Sequence, residues 1–160
     1  MIQGAGVSIE AAFRLHETWL VSRLALVVGD REEARDLAQQ AFLRAVEKWD
    51  GEGDTEGVMR WVSVVGLRLA LNERRRRRRW GFLPIEDADS TWALKTDPDL
   101  WRALAKLDRR TRAALVLSVL DGYTQGEIAT ALEVPRGTVA SWISRGRAVL
   151  RATLEERRDG

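Results

Sequence analysis

Cysteine is absent from this 160-residue chain, which excludes disulfides and thiolate metal sites. The single histidine, His16, has no partner at metal-ligand spacing, so we predict no metal site. Proline is scarce, with three residues, and helix formers dominate, which favours an all-α fold. No Ser/His/Asp set, P-loop or complete glycine-rich dinucleotide loop is present. We therefore predict a protein that is not an enzyme and uses no cofactor.

Long apolar runs are missing as well. The most apolar early segment, Trp19 to Val28, is interrupted by Arg23 and is too short to span a bilayer. The N-terminus has no basic region leading into an apolar stretch, so it does not resemble a signal peptide. We expect a cytoplasmic protein with no membrane insertion.

Charge is unevenly distributed although the net charge is only +2. Residues 1–59 carry −5 and residues 81–99 carry −4, whereas residues 60–80 carry +7 and residues 135–160 carry +3. Two basic segments between acidic regions indicate two separate contacts with a polyanion.

Apolar residues at helical spacing predict three helices in the first half. Ser8 caps the first helix, and Gly29 ends it before Asp30 caps the second. The second helix, Arg31 to Trp49, has a clean apolar stripe, and a third runs from about Val58 to Arg78. The apolar positions of the first helix include Ala12, Phe13, Leu15, Trp19, Leu20 and Leu24. The stripe of the second consists of Ala34, Leu37, Ala38, Ala41, Phe42, Ala45 and Trp49.

The second half begins after an acidic stretch, Trp80 to Asp99, that lacks helical periodicity and reads as an interdomain linker. Asp97-Pro98 is a helix-start signal, and Asp108 caps a further helix. From Gly122 to Leu150, two helical patterns meet at a tight break, and Pro135 suits the first turn of the second helix. This is the helix-turn-helix arrangement, whose second helix enters the DNA major groove. An ordinary helical hairpin in a bundle is the alternative interpretation.

The six consecutive arginines Arg74 to Arg79 suit phosphate binding, because a guanidinium binds phosphate oxygens through a planar fork. A solvated helix end is the alternative. Trp61 and Trp80 flank this segment, and aromatic rings can stack on the bases of an opened strand. For Trp61 itself, the pattern favours a packed core position over a stacking role.

Three motifs in register resemble the extracytoplasmic-function sigma factors of bacterial RNA polymerase. The first is Asp-Leu-x-Gln-x-x-Phe at Asp36 to Phe42, and the second is the tryptophan-led helix from Trp61 to Arg75. The third spans Leu104 to Leu150 and includes the helix-turn-helix. The resemblance implies two small helical domains, a sigma-2-like domain at 1–80 and a sigma-4-like domain at 98–160, joined by a flexible linker at 81–97.

The resemblance also implies partners and site residues. The partners would be promoter DNA and core RNA polymerase, through the coiled coil of its largest subunit and its flap region. Family members are commonly held inactive by an anti-sigma protein, although this sequence does not name one. The core-polymerase contacts would be Asp36, Leu37, Gln39, Gln40 and Phe42. The minus-10 contacts would be Asp54, Thr55, Trp61, Arg68, Asn72, Arg74, Arg75 and Arg76, with the loop from Asp50 to Gly57 holding a flipped base. The minus-35 contacts would be Thr124, Arg136, Gly137, Thr138, Ser141, Trp142 and Arg145.

Some positions depart from the family pattern. Gly66-Leu67-Arg68 stands where Ala-Arg-Asn is frequent, and Ala140 and Trp142 replace a usual lysine and arginine. Glu133 occupies a turn position where glycine is usual, and a left-handed conformation there would cost about 1 kcal/mol. We therefore expect minus-35 binding that is weak, unusually selective or assisted by another protein. A stand-alone helix-turn-helix regulator and a helical adaptor with no DNA role remain the alternative functions.

Overall fold

The computed structural model describes residues 8–50, 53–72 and 97–160, and every regular element in these ranges is helical. The first cluster contains α1 (Ile9–Val28), α2 (Arg31–Lys48) and α3 (Thr55–Ala70). The second contains α4 (Pro98–Ala105), α5 (Arg109–Leu115), a π-helical turn (Val116–Leu120), α6 (Gln125–Leu132) and α7 (Arg136–Arg158). The predicted all-α class with two helical clusters is confirmed. Most of the predicted linker and the arginines Arg74 to Arg79 lie outside the described residues.

Local sequence signals set the ends of the first three helices. The Ser8 hydroxyl accepts a hydrogen bond from Ala11 N at 3.2 Å, and the Asp30 carboxylate accepts one from Glu33 N at 2.8 Å. Gly29 ends α1 with a φ of 77°, a conformation that glycine adopts without a steric penalty. The chain can therefore reverse between α1 and α2 within two residues.

The third helix differs from its predicted bounds at both ends. It begins earlier because the Asp54 carboxylate accepts a hydrogen bond from Gly57 N at 2.8 Å and so caps a helix starting at Thr55. It ends at Ala70, where Asn72 N donates to Leu69 O at 3.2 Å in a tightened last turn. The Ala70 carbonyl accepts its hydrogen bond from Arg109 of the second cluster and not from a further turn of α3.

The core of the first cluster is built from the predicted apolar stripe of α2. All of its members are buried except Trp49, which is half-buried. Leu15 and Trp19 of α1 do not join this core and remain exposed. Gly66 allows α1 and α3 to approach closely, since a Cβ there would lie 3.2 Å from Leu24 Cδ1.

The second cluster is organised around α7. Val139 and Ile143 of α7 are buried, together with Ile128 of α6. The predicted start signals are confirmed: the Asp97 carboxylate caps α4 and the Asp108 carboxylate caps α5. Pro135 precedes α7 as its N-cap residue, one position before the first turn in which it was predicted. The buried apolar residues of the two clusters form one continuous hydrophobic core.

Candidate functional site

The core-polymerase residues predicted on α2 divide into a buried and an exposed set. Leu37 and Phe42 are buried in the bundle, where they fix the position of the helix. Gln39 is exposed, and half-buried Asp36 accepts a hydrogen bond from Gln40 Nε2 at 2.8 Å. The structure therefore presents a carboxylate and two amides at the surface of α2.

An apolar groove of about 600 Å³ lies beside Gln39, between α1 and α2. Leu43 and Val46 line it while remaining 62% and 61% exposed. Phe13 and Phe42 form its floor with an edge-to-face contact at 4.7 Å between ring centroids. Sequence reasoning missed Leu43 and Val46; the signal available was their spacing of four and seven residues from Gln39, off the buried stripe.

The predicted minus-10 residues lie along α3 and at its two ends. The Asp54 carboxylate serves as the helix cap, and the neighbouring Thr55 is exposed. Trp61 is half-buried and meets Trp49 edge-on, with 6.1 Å between ring centroids, which fits a packed residue. At the other end Asn72 is exposed, whereas Arg74, Arg75 and Arg76 lie outside the described residues.

Arg68 is the predicted minus-10 residue with the most informative contacts. Its Nε donates to the Ala131 carbonyl at the end of α6 at 2.6 Å. Its Nη2 lies 3.8 Å from Glu133 Oε1, in an exposed ion pair. The side chain that was predicted to contact DNA therefore contacts the helix-turn-helix in this structure.

The helix-turn-helix itself forms as predicted. A capping box begins α6: the Thr124 hydroxyl accepts from Glu127 N at 3.1 Å, and Thr124 N donates to Glu127 Oε1 at 3.2 Å. The hydrogen bond from the Thr124 backbone N–H to the Glu127 carboxylate, and then the interaction of that carboxylate with the Thr124 side chain, hold the pKa of Glu127 below its usual value. Glu133 adopts the expected left-handed conformation at the turn, with a φ of 58°. Thr124 thus has a structural role at a position predicted to contact DNA.

The outer face of α7 carries the other predicted minus-35 residues. Arg136, Gly137, Ser141 and Arg145 are exposed, and Thr138 is half-buried. Trp142 is half-buried and packs against the hydrophobic core. The structure therefore brings two guanidinium groups and one hydroxyl to the accessible surface of the second helix, as a groove-reading helix requires.

Two arginines of α5 connect the two clusters through hydrogen bonds. Neither of these contacts was predicted from the sequence. Arg109 forms a bidentate ion pair with Glu33 of α2, with both N···O distances at 2.8 Å. Arg112 is 1% exposed and donates to Leu104 O at 2.8 Å and Val27 O at 3.1 Å, with its guanidinium 5.6 Å from the centre of the Trp101 ring. Burial, and then the charge of Arg109, lower the pKa of Arg112 to about 10, so it remains protonated at neutral pH. The sequence offered only the basic run at the start of α5 as a signal.

A metal-binding interpretation finds no support in the described ranges. These ranges hold no group of three or more His, Asp or Glu side chains that could bind a metal ion. None of their helices is both long and apolar enough to cross a membrane.

Comparison with known proteins assigns each helical cluster to a family model. The model "Sigma-70 region 2" matches residues 12–80, and the model "Sigma-70, region 4" matches residues 98–150. The extracytoplasmic-function (ECF) RNA polymerase sigma factor SigM of Mycobacterium tuberculosis is 30% identical over 157 residues, covering 96% of this chain and 80% of that protein. The corresponding SigW of Bacillus subtilis is 26% identical over 149 residues, covering 81% of this chain and 80% of its own.

A solved structure shares the fold. The sigma factor RpoE from Bartonella quintana, crystallised with the anti-sigma factor NepR, superposes with a TM-score of 0.64. The alignment covers 91% of this chain and 96% of that chain at 19% sequence identity.

Proposed function

This chain belongs to the ECF sigma factors of the sigma-70 family, which act in transcription initiation by RNA polymerase, and we propose that its two helical clusters divide promoter recognition between them. The first cluster binds core polymerase and the minus-10 element, and the second binds the minus-35 element. One observation carries this proposal: the region 2 and region 4 models match in order, each on a cluster with its own exposed polar surface.

Core polymerase binds the surface of α2. Asp36, Gln39 and Gln40 supply charge and hydrogen bonding beside the groove that contains Leu43 and Val46. An apolar groove with a polar rim suits a helical partner, which fills the groove with its own apolar face. The coiled coil of the polymerase's largest subunit is such a partner, and the flap region receives the second cluster.

The minus-10 element binds along α3 and the basic segment that follows it. Arg68 and the arginines from Arg74 neutralise phosphates of the melting strand. The segment from Asp50 to Gly57, whose last three residues lie in the first turn of α3, receives an unstacked base, and contacts with the segment offset the few kcal/mol that extraction of the base costs. Asp54 fixes the geometry of that segment by capping α3.

The minus-35 duplex binds the exposed face of α7. Arg136, Ser141 and Arg145 enter the major groove, while Ala140 and half-buried Trp142 add no positive charge. With fewer phosphate contacts, we expect a shallower dependence of duplex affinity on salt, by roughly one unit of log–log slope for each missing cation.

An anti-sigma protein regulates the chain in this proposal. Support comes from the fold shared with RpoE, which was crystallised with such a partner. Co-purification of this chain with a protein that suppresses its core-dependent transcription would test that part separately from promoter binding.

Run-off transcription with purified core polymerase tests the central proposal. Addition of this protein should produce new transcripts, and the Asp36→Ala, Gln39→Ala double variant should require at least about 10-fold more protein for half-maximal signal, if each lost hydrogen bond contributes about 1 kcal/mol. Lys48→Ala is the matched control, because Lys48 is exposed on α2 and lies two residues beyond Val46, about 200° further around the helix and away from the groove.

Tight duplex binding without polymerase, combined with no core-dependent transcript, would favour a stand-alone regulator. Unchanged promoter behaviour after replacement of Arg74 to Arg79 would favour an adaptor.

A further inference from the structure

Arginines bridge the two clusters by donating to carbonyl groups at the ends of helices. Arg109 donates to Ala70 O of α3 at 3.2 Å, and Arg112 donates to Val27 O of α1 at 3.1 Å. In the opposite direction, Arg68 donates to Ala131 O of α6 at 2.6 Å. The last carbonyls of a helix have no partner within the helix and carry its negative dipole end, so they attract guanidinium groups.

A buried ion pair between Glu33 and Arg109 makes the contact between the clusters sensitive to single substitutions. Both side chains are only 9% exposed, and both carboxylate oxygens are hydrogen-bonded to the guanidinium. A buried ion whose partner is removed loses its water without compensation, which makes such a pair sensitive to replacement of either member. The pair also lies at the start of α2, where a carboxylate is favoured by the helix dipole.

The contact between the clusters treats the two proposed DNA-binding surfaces unequally. On α3, Arg68 is engaged by the helix-turn-helix, and Arg60 lies against Tyr123, with 3.4 Å from Nε to the hydroxyl oxygen. On α7, Arg136 and Arg145 remain exposed. The closed arrangement therefore engages two arginines of the minus-10 surface in contacts with the second cluster, although their side chains stay exposed to solvent, and it leaves the minus-35 surface accessible.

We infer that the free protein closes on itself into a state that withholds Arg68 from the minus-10 strand, and that the Glu33–Arg109 pair is the latch holding it closed. The inference rests on the proposed function for its consequence, since Arg68 must leave Ala131 before it can contact DNA. When the clusters separate, water solvates both Glu33 and Arg109. Removal of one partner therefore costs little in the open state, whereas in the closed state the remaining charge stays buried and unpaired. The latch consequently decides how much of the free protein can bind a melted strand.

Förster resonance energy transfer between dyes on the two clusters reports their separation and so tests the latch directly. The absence of cysteine allows two labels to be placed through Lys48→Cys on α2 and Arg158→Cys on α7, both exposed positions. In the labelled full-length chain, Glu33→Gln should raise the open-to-closed ratio by about 100-fold, because Arg109 stays charged and would be buried beside a neutral amide. Glu32→Gln is the matched control, since it removes the same charge from an exposed neighbouring position of the same helical turn.

A double-mutant cycle separates a latch from a general loss of stability. Arg109→Gln should open the chain as Glu33→Gln does, whereas the double variant should close again at least about 10-fold relative to either single variant, because no unpaired charge remains. Additive opening, or transfer efficiencies equal to wild type in both single variants, would overturn the latch. Far-ultraviolet circular dichroism of each variant should match wild type; a single variant that lost helicity while the double variant kept it would still support the pair.

Binding of two labelled DNAs to the free protein reads out the consequence. Glu33→Gln should strengthen binding of a single-stranded minus-10 oligonucleotide by the factor by which it raises the open fraction, and should leave minus-35 duplex binding within about two-fold, since α7 is exposed in both states. Equal strengthening of both DNAs would refute the unequal engagement of the two surfaces. If the latch inference is wrong, energy transfer in Glu33→Gln will equal wild type while core-dependent transcription persists. If the proposed function is wrong, core-dependent transcription will be absent while energy transfer still reports opening.

Discussion

Two glycines on α7 should respond to alanine with opposite signs. Gly137 is exposed and has nothing within 4 Å of an added Cβ. Gly146 is buried where α7 crosses α5, and a Cβ there would lie 2.7 Å from Leu115 Cδ1 and 2.8 Å from Thr111 Cγ2. We predict that Gly137→Ala stabilises the protein and that Gly146→Ala destabilises it.

Two effects set the stability change of each variant. Both variants gain helix propensity when glycine is replaced, and only Gly146→Ala also has a packing cost. Replacement of glycine by alanine in a helix interior gains about 1 kcal/mol, and somewhat less near the N-terminus where Gly137 lies. At Gly146 the new methyl group would lie about 1 Å inside the usual carbon–carbon contact distance of roughly 3.5–4.0 Å. Leu115 and Thr111 are themselves buried and cannot rotate into solvent, so overpacking should cost about 1–3 kcal/mol. The difference between the two variants removes the shared term and isolates the packing cost.

Urea unfolding followed by circular dichroism measures that difference. We expect Gly146→Ala to be less stable than Gly137→Ala by about 1–3 kcal/mol, corresponding to a melting temperature lower by roughly 2–12 °C for a chain of this size. Equal stabilisation by both alanines would refute the close crossing of α5 and α7. A lower slope of unfolding free energy against urea in either variant would indicate a changed unfolding transition and not a packing cost.

Three further predictions concern single side chains. Leu43→Glu should weaken core polymerase binding at least about 10-fold without lowering stability, because the side chain is exposed in the groove; anisotropy with labelled protein measures this, and unchanged affinity would exclude the groove. Thr124→Ala should cost about 1 kcal/mol in urea unfolding by removing the α6 cap, and a cost below about 0.3 kcal/mol would contradict the capping box. At Asp108, burial acts to raise the pKa, but hydrogen bonds from Thr111 and nearby arginine charges outweigh it and lower the pKa overall. The ionised carboxylate therefore stabilises the fold above its unfolded pKa of about 3.9, and this contribution is lost as pH falls through the lower folded pKa. Asp108→Asn should flatten stability against pH below about pH 4, and identical acid limbs would refute the assignment.

Local signals accounted for most helix starts in the described ranges. A cap depends on a hydrogen bond between residues three apart, so Ser8, Asp30, Asp108 and Thr124 could be identified without knowledge of the tertiary fold. The stripe of α2 was equally readable, because helical periodicity reports which face is buried. The end of α3 was not, because the carbonyl of Ala70 is satisfied by a residue distant in the chain.

The contacts between the clusters could not be predicted from the sequence. Glu33 and Arg109 are 76 residues apart, and each reads locally as an ordinary charged residue in a first helical turn. Arg68 illustrates the same limit, since its resemblance-based role with DNA gives no indication of its hydrogen bond to Ala131. Periodicity reveals that a face is apolar or polar, but it does not reveal which distant element covers that face.

The use of helix-end carbonyls as acceptors has an evolutionary consequence. A main-chain oxygen is supplied by every amino acid, so substitutions at Val27, Ala70 or Ala131 that preserve the helix leave the acceptor in place. Divergence of the receiving surface is thus tolerated, and the strength of association can be adjusted by gaining or losing individual guanidinium groups. Glu33 is the exception, because its acceptor oxygens belong to a side chain and a single nucleotide change can remove them. A lineage could therefore tune how readily the two halves separate through one codon, without rebuilding the surfaces that meet.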